Sequence, residues 1–171
     1  MLLVSSVAIG VIAGLMLGGS LWNLGNVRLR CWPLLVVAVV AQVIIFSTPV
    51  AKSPMISVYG GLLYSLTVIA VLAVLAINAR MRGVKILTLG TSLNALAIIL
   101  NGGQMPVDQQ KLTLALGPQA ADFGQSFINT APMSNSAPLW FLGDVILTPQ
   151  FLPVRNVLSV GDILIAIGAI V

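Results

Sequence analysis

Four aspartates are the only acidic side chains in this chain of 171 residues, which has no Glu and no His. Two of them stand in echoing pentapeptides, Leu142-Gly-Asp144-Val-Ile and Val160-Gly-Asp162-Ile-Leu. Each Asp immediately precedes an apolar run. Two carboxylates brought to one side could act as an acid and base pair or hold a divalent ion. Arg155 lies between them in sequence and could pair with either. The structural alternative is that each Asp caps a helix and satisfies its first amides. Asn101-Gly-Gly-Gln104-Met-Pro106 is the other polar motif. Its glycine amides could cradle an anion, or the motif could simply end a helix and turn the chain. Asn101, Gln104, Asp144, Arg155 and Asp162 therefore form the candidate polar cluster.

Other chemistry is removed by what is missing. Without His, neither a Ser-His-Asp nor a Cys-His arrangement can form, and HExxH zinc sites and His-ligated haem are excluded. Cys31 is the single cysteine, so no disulfide and no CxxC motif forms within the chain. No metal site, cofactor or catalytic residue is assigned.

The elements that must position these residues are apolar. Hydrophobic residues make up 58% of the chain and charged residues 7%, and the mean hydropathy is +1.09. A soluble domain carries about a quarter charged residues, so the composition points to an integral membrane protein. Crossing a bilayer takes about 20 apolar residues in a helix. Five runs are candidates: Leu2 to Trp22, Pro33 to Val50, Met55 to Ala79, Ile86 to Leu100, and Val157 to Val171. The first lacks a basic segment before it and reads as a retained span, not a signal peptide. Ser159 and Asp162 have capping-box spacing before the last run. Few apolar residues follow them, so the chain is expected to continue beyond Val171.

The net charge is +4, but the basic residues fall in small clusters beside apolar runs. Such clusters mark cytoplasmic loops, and the pattern lacks the basic stripe of a nucleic-acid binder. Arg28 and Arg30 follow the first run, and Arg80, Arg82 and Lys85 follow the third. Placing both loops in the cytoplasm puts the N-terminus and the segment from Gly102 to Asn156 outside. Within that segment, Pro106 to Leu116 and Pro118 to Phe127 are expected to form short helices. Asp108 stands near the start of the first and Gly117 at its stop. Ala131 to Pro138 reads as a turn or linker, and Leu139 to Leu147 as a stretch that lies in the interface or dips into it, with Trp140 at headgroup level. Gly10, Gly14 and Gly18 share one helical face suited to close packing. Gln42 and Asn94 could bind a ligand or line a path, but are expected to form hydrogen bonds between helices.

Several of these motifs together resemble a bacterial integral membrane family of unknown function, the one numbered 5317. The carrying residues are Arg28-Leu-Arg30 with Trp32-Pro33, Asn101-Gly-Gly-Gln-Met-Pro106, Trp140-Phe-Leu-Gly-Asp144, Arg155-Asn156 and Ser159-Val-Gly-Asp162. The resemblance spans essentially the whole chain. It implies a bacterial polytopic membrane protein and no particular activity.

The expected fold is all-α and polytopic, with about five transmembrane helices. Residues 1–101 form a four-helix membrane region, 102–156 an extracytoplasmic segment and 157–171 the start of a fifth helix. The expected location is the bacterial inner membrane. The expected role is an accessory or structural subunit of a larger membrane complex, with membrane lipids and other membrane subunits as partners and no nucleic acid. The alternative is an enzyme or binding protein for an envelope or lipid substrate, using the Asp144 and Asp162 region. A transporter would need charge within the membrane, for which Asp162 is the one candidate.

Overall fold

The computed structural model describes residues 28–47, 50, 53–117, 130–134, 136–149 and 155–171. The first apolar run with Gly10, Gly14 and Gly18, and the expected helix from Pro118 to Phe127, lie outside the described residues.

Among the described residues the chain is mostly helical. Helix α1 spans Trp32–Phe46, with Pro33 in its first turn, where a missing amide donor costs nothing. Helix α2 spans Pro54–Ile77 and is capped by the Ser53 hydroxyl, which accepts the Ile56 amide at 3.4 Å. Helix α3 spans Val84–Leu100. A short helix α4, Gln109–Leu116, starts at Asp108, whose carboxylate accepts the amides of Gln110 and Lys111 at 3.1 Å each. Gly117 ends it, as its position predicts. Helix α5 spans Val160–Ile170. Its start is the reciprocal capping box expected from the spacing of Ser159 and Asp162.

Two expectations need correction. The chain is not purely helical. Strands β1 (Met105–Val107) and β2 (Thr130–Pro132) pair in parallel, and β3 (Ile146–Leu147) and β4 (Val157–Leu158) pair antiparallel. Pro106, Pro132 and the glycines around them break any continuous helix in this region. The interfacial stretch after Leu139 becomes a 3₁₀ turn at Trp140–Leu142, followed by β3. Secondly, only α2, with 24 residues, is long and apolar enough among the described helices to cross a membrane. Helices α1, α3 and α5 have 15, 17 and 11 residues. At 1.5 Å per residue α3 is about 26 Å long, against a hydrocarbon core of about 30 Å.

The helices pack in sequence, α1 on α2 and α2 on α3, with α5 against α3. Gln42 on α1, half-buried, donates to the Thr67 hydroxyl on α2 at 3.1 Å, the expected bond between helices. Helices α3 and α5 run antiparallel and touch through glycines spaced seven apart. Gly83 and Gly90 on one side meet Gly168 and Gly161 on the other. A Cβ added at Gly90 would lie 2.6 Å from the Gly161 carbonyl oxygen and 2.9 Å from the Ile165 amide nitrogen. At Gly168 it would lie 2.7 Å from the Leu87 nitrogen. No side chain fits there, so the two backbones meet directly.

The strands form a cap over the end of α3. Val68 from α2, with Ala95, Ala97 and Ile98 from α3, shares a core with Met105 and Leu142 from the cap. A second core of Val107, Leu112, Ala115 and Val157 joins α4 to the strands. Gly103 turns the chain from α3 into β1 with a φ of +85°, and its backbone abuts Gly61 on α2. Only glycine meets both demands.

Candidate functional site

The residues with the greatest chemical potential gather where the cap meets the start of α5. Asn94 faces α5 from α3, because the adjacent Gly161 has no side chain to obstruct it. A Cβ at Gly161 would overlap the Asn94 side-chain oxygen. Asn94 Nδ2 donates to Asp162 Oδ1 at 2.9 Å, and its Oδ1 accepts the Ser159 hydroxyl at 2.9 Å. The Ser159 Oγ in turn accepts the Asp162 amide at 2.9 Å. Asp162 Oδ2 accepts the Ser159 amide at 3.2 Å. These bonds form a closed network around a serine that is 0% exposed. The expected hydrogen bond of Asn94 to another helix is thus present, with both the cap residue and the capping acid as its partners.

Asp144 does not cap a helix, contrary to the structural alternative raised by its position before an apolar run. It pairs beside β1 as a parallel bridge to Val107. Its amide donates to the Pro106 carbonyl at 2.9 Å, and its carbonyl accepts the Asp108 amide at 3.0 Å. One residue on, the Val145 amide donates to the Leu158 carbonyl at 3.1 Å. That bond ties the Asp144 strand to the segment that enters α5. Burial pushes the Asp144 carboxyl up to about 8, and the nearby Asp162 carboxylate adds to the rise. No hydrogen bond to the Asp144 carboxyl forms among the described residues. At neutral pH it therefore holds its proton, a neutral acid beside a hydrogen-bonded carboxylate. A cavity of about 70 Å³ adjoins it, lined by Val107, Gln109, Thr130, Asn156 and Val157 among others.

The remaining candidates are Asn101, Gln104 and Arg155. Asn101 Nδ2 donates to the Ala97 carbonyl at 2.7 Å and to the Pro138 carbonyl at 2.9 Å, tying the end of α3 to the cap loop. Gln104 immediately precedes β1. Arg155 is exposed and pairs with neither acid. The only ion pair among the described residues joins Lys111 to Asp108 at 3.3 Å. Lys111 also donates to the Val145 carbonyl at 2.7 Å. Burial opposes charge on Asp108, but the bonds from Lys111 and Gln110 hold its carboxyl below the ordinary value. Among the described residues no group of three metal-ligating side chains occurs.

Three features escaped the reading of the sequence. The glycine faces of α3 and α5 were visible as seven-residue spacings, Gly83 to Gly90 and Gly161 to Gly168. Asn78 is buried, and its side chain grips the backbone of Arg30 at both ends. No local pattern announces that contact across 48 residues. An open cleft of about 490 Å³ lies between the start of α4 and Trp140, lined by Asp108, Gln109, Gln110, Met133 and Ser134.

Residues 26–171 match the family of unknown function DUF5317. The chain belongs to that family. The match takes in every described element of this DUF5317 protein, including both glycine faces and the polar network. No curated protein and no solved structure matches the chain.

Proposed function

We propose that this DUF5317 protein is a polytopic protein of the bacterial inner membrane and serves as an accessory or structural subunit of a larger membrane complex. The observation that carries this reading is the apolar surface of α1 and α2. Only 22% of an 18-residue apolar window of α2 is buried. Val37, Val43, Val58 and Leu62 are each more than 60% exposed. In water such a surface drives association, and lipid tails or a neighbouring subunit would cover it. The polar network at Asn94, Ser159 and Asp162 is closed on itself and so favours a structural role. In this reading the basic loops face the cytoplasm, the cap lies outside and the N-terminus is external. The short α1 and α3 cross a locally thinned bilayer.

The test is native purification in mild detergent with mass spectrometry of the co-purifying chains. A stoichiometric set of membrane subunits supports the role, and a solitary chain removes it. Topology has its own test in Cys31, the single cysteine, which is exposed beside Arg30. A membrane-impermeant maleimide should label it only after the membrane is opened. Labelling in intact cells would invert the orientation.

A second reading has one observation in its favour. The protonated Asp144 beside the Asp162 carboxylate adjoins a cavity, an arrangement suited to acid–base work on an envelope or lipid substrate. If it holds, a small ligand co-purifies with the wild type and is lost from Asp144→Asn while the fold persists. Equal recovery from both would remove this reading.

A further inference from the structure

The basic residues at the end of the helices away from the cap are brought together by a built contact. Asn78, 4% exposed, follows the last turn of α2. Its Oδ1 accepts the Arg30 amide at 2.9 Å, and its Nδ2 donates to the Arg30 carbonyl at 2.9 Å and to the Val74 carbonyl at 2.7 Å. Both polar atoms of the amide head are thus committed to backbone, through three hydrogen bonds. The clamp pins the chain entering α1 to the end of α2. The turn that follows is equally constrained. The Met81 amide donates to the Asn78 carbonyl at 3.0 Å, and the Val84 amide to the Met81 carbonyl at 3.3 Å. Gly83, with a φ of +73°, sits against the backbone of Gly168. Arg28 and Arg30 from one segment therefore share an end of the molecule with Arg80, Arg82 and Lys85 from the next. All five are exposed, and Trp32 beside them is 58% exposed.

Among the described residues these five cations have no carboxylate side chain to pair with. The chain has four acids, Asp108, Asp122, Asp144 and Asp162. Of the three that are described, Asp162 sits with Asn94 more than two turns along α3, and Asp108 and Asp144 belong to the cap beyond it. The single ion pair among the described residues is in that cap. Guanidinium groups bind phosphate in a two-pronged geometry that ammonium groups lack, and four of the five are arginines. An aromatic ring beside such a cluster suits the level of lipid headgroups.

We propose that this end of the molecule binds the phosphates of anionic lipid headgroups, with the Asn78–Arg30 clamp holding Arg28 and Arg30 alongside Arg80 and Arg82. The inference rests on the membrane reading above and adds a ligand class to it. A free inorganic phosphate would present the same chemistry, and the experiment separates the two sources.

The full chain is purified in a neutral detergent and titrated with phosphatidylglycerol, with phosphatidylcholine and with inorganic phosphate, and bound lipid is counted by native mass spectrometry. Phosphatidylglycerol should be retained in preference to phosphatidylcholine. Each basic residue near a membrane surface contributes about a fivefold gain in affinity. The double variant Arg80→Gln with Arg82→Gln should therefore weaken retention roughly 25-fold. Asn78→Ala should weaken it several-fold with every charge intact, an effect net charge alone does not give. Lys111→Gln, at the other end, should leave it unchanged and serves as the control for a folded protein with one charge fewer. Equal retention of the two lipids would overturn the proposal. So would an equal loss with Lys111→Gln, or saturation by inorganic phosphate without lipid preference. A carbonate wash of the membranes tests the underlying reading separately. Protein that stays in the membrane pellet but shows no lipid preference removes only this proposal.

Discussion

Asp144 gives this protein a pH dependence whose sign and size follow from its surroundings. Its carboxyl is raised from an ordinary 3.8 to about 8 in the fold. In the unfolded chain it ionises near its ordinary value. Between those two values the folded state holds a proton that the unfolded state has released. Stability therefore falls as pH rises from about 4 to about 8, and levels off above that. The shift is about 4 units, and each unit corresponds to about 1.4 kcal/mol, so the full change approaches 5–6 kcal/mol. By pH 7 about three-quarters of it, or about 4 kcal/mol, has been lost. Asp144→Asn keeps the shape and removes the titration. The variant should show no slope through this window and should be more stable than wild type at pH 7 by up to about 4 kcal/mol. The assay is thermal unfolding in detergent, followed by tryptophan fluorescence from pH 5 to pH 8.5. At 2–4 °C per kcal/mol for a chain of this size, the two melting curves should separate by roughly 10 °C at pH 7. The absence of His and Glu makes the attribution clean, because few other side chains titrate in this range. An unchanged slope in Asp144→Asn, or wild-type stability that rises with pH, would refute the reasoning.

Other substitutions probe the contacts around this joint. Gly161→Ala forces a methyl group onto the Asn94 side chain and should cost about 3 kcal/mol, as overpacking does; denaturant titration would measure it, and a near-neutral result would mean α3 and α5 are free to part. Asn94→Ala leaves the buried Ser159 hydroxyl and the Asp162 carboxylate each short of one partner and should cost about 1–3 kcal/mol; Asn94→Asp should cost more, because it sets a second carboxylate against Asp162. Asn78→Ala frees the Arg30 amide, which should then exchange with deuterium about tenfold faster or more, while amides in the middle of α3 keep their wild-type rates. Gly103→Ala places a side chain at a φ of +85° and against Gly61, so it should destabilise more than the same change at Gly102, where a Cβ meets nothing within 4 Å.

How much of this was legible in advance differs from element to element, for physical reasons. Local signals are legible in the sequence. Asp108 before α4, Gly117 after it, and the Ser159–Asp162 capping box all act on amides within three residues of themselves. Spacing alone reports such contacts. Of the candidate polar residues, Asp144 and Asp162 come within electrostatic range of each other. Asn101, at the end of α3, spends its amide on the Ala97 and Pro138 carbonyls, and Arg155 is exposed and makes no ion pair among the described residues. Neither the β-pairing of residues 105–107 with 130–132 nor the use of Asp144 as a strand residue has a local signature. Both depend on a partner distant in the chain.

The sequence by itself determined the physical class of the surface and the places where the chain must turn. A chain with 7% charged residues has too few polar groups to cover long apolar helices, whatever their arrangement. Tertiary structure alone decided which polar groups would meet. Asn94 reaches Ser159 and Asp162 only because glycines let α3 and α5 approach backbone to backbone. The Asp144 carboxyl holds its proton only because the cap buries it beside Asp162. A side chain's type sets what it can donate or accept, but its ionisation and its partners depend on water exclusion and on neighbours that folding brings from far along the chain.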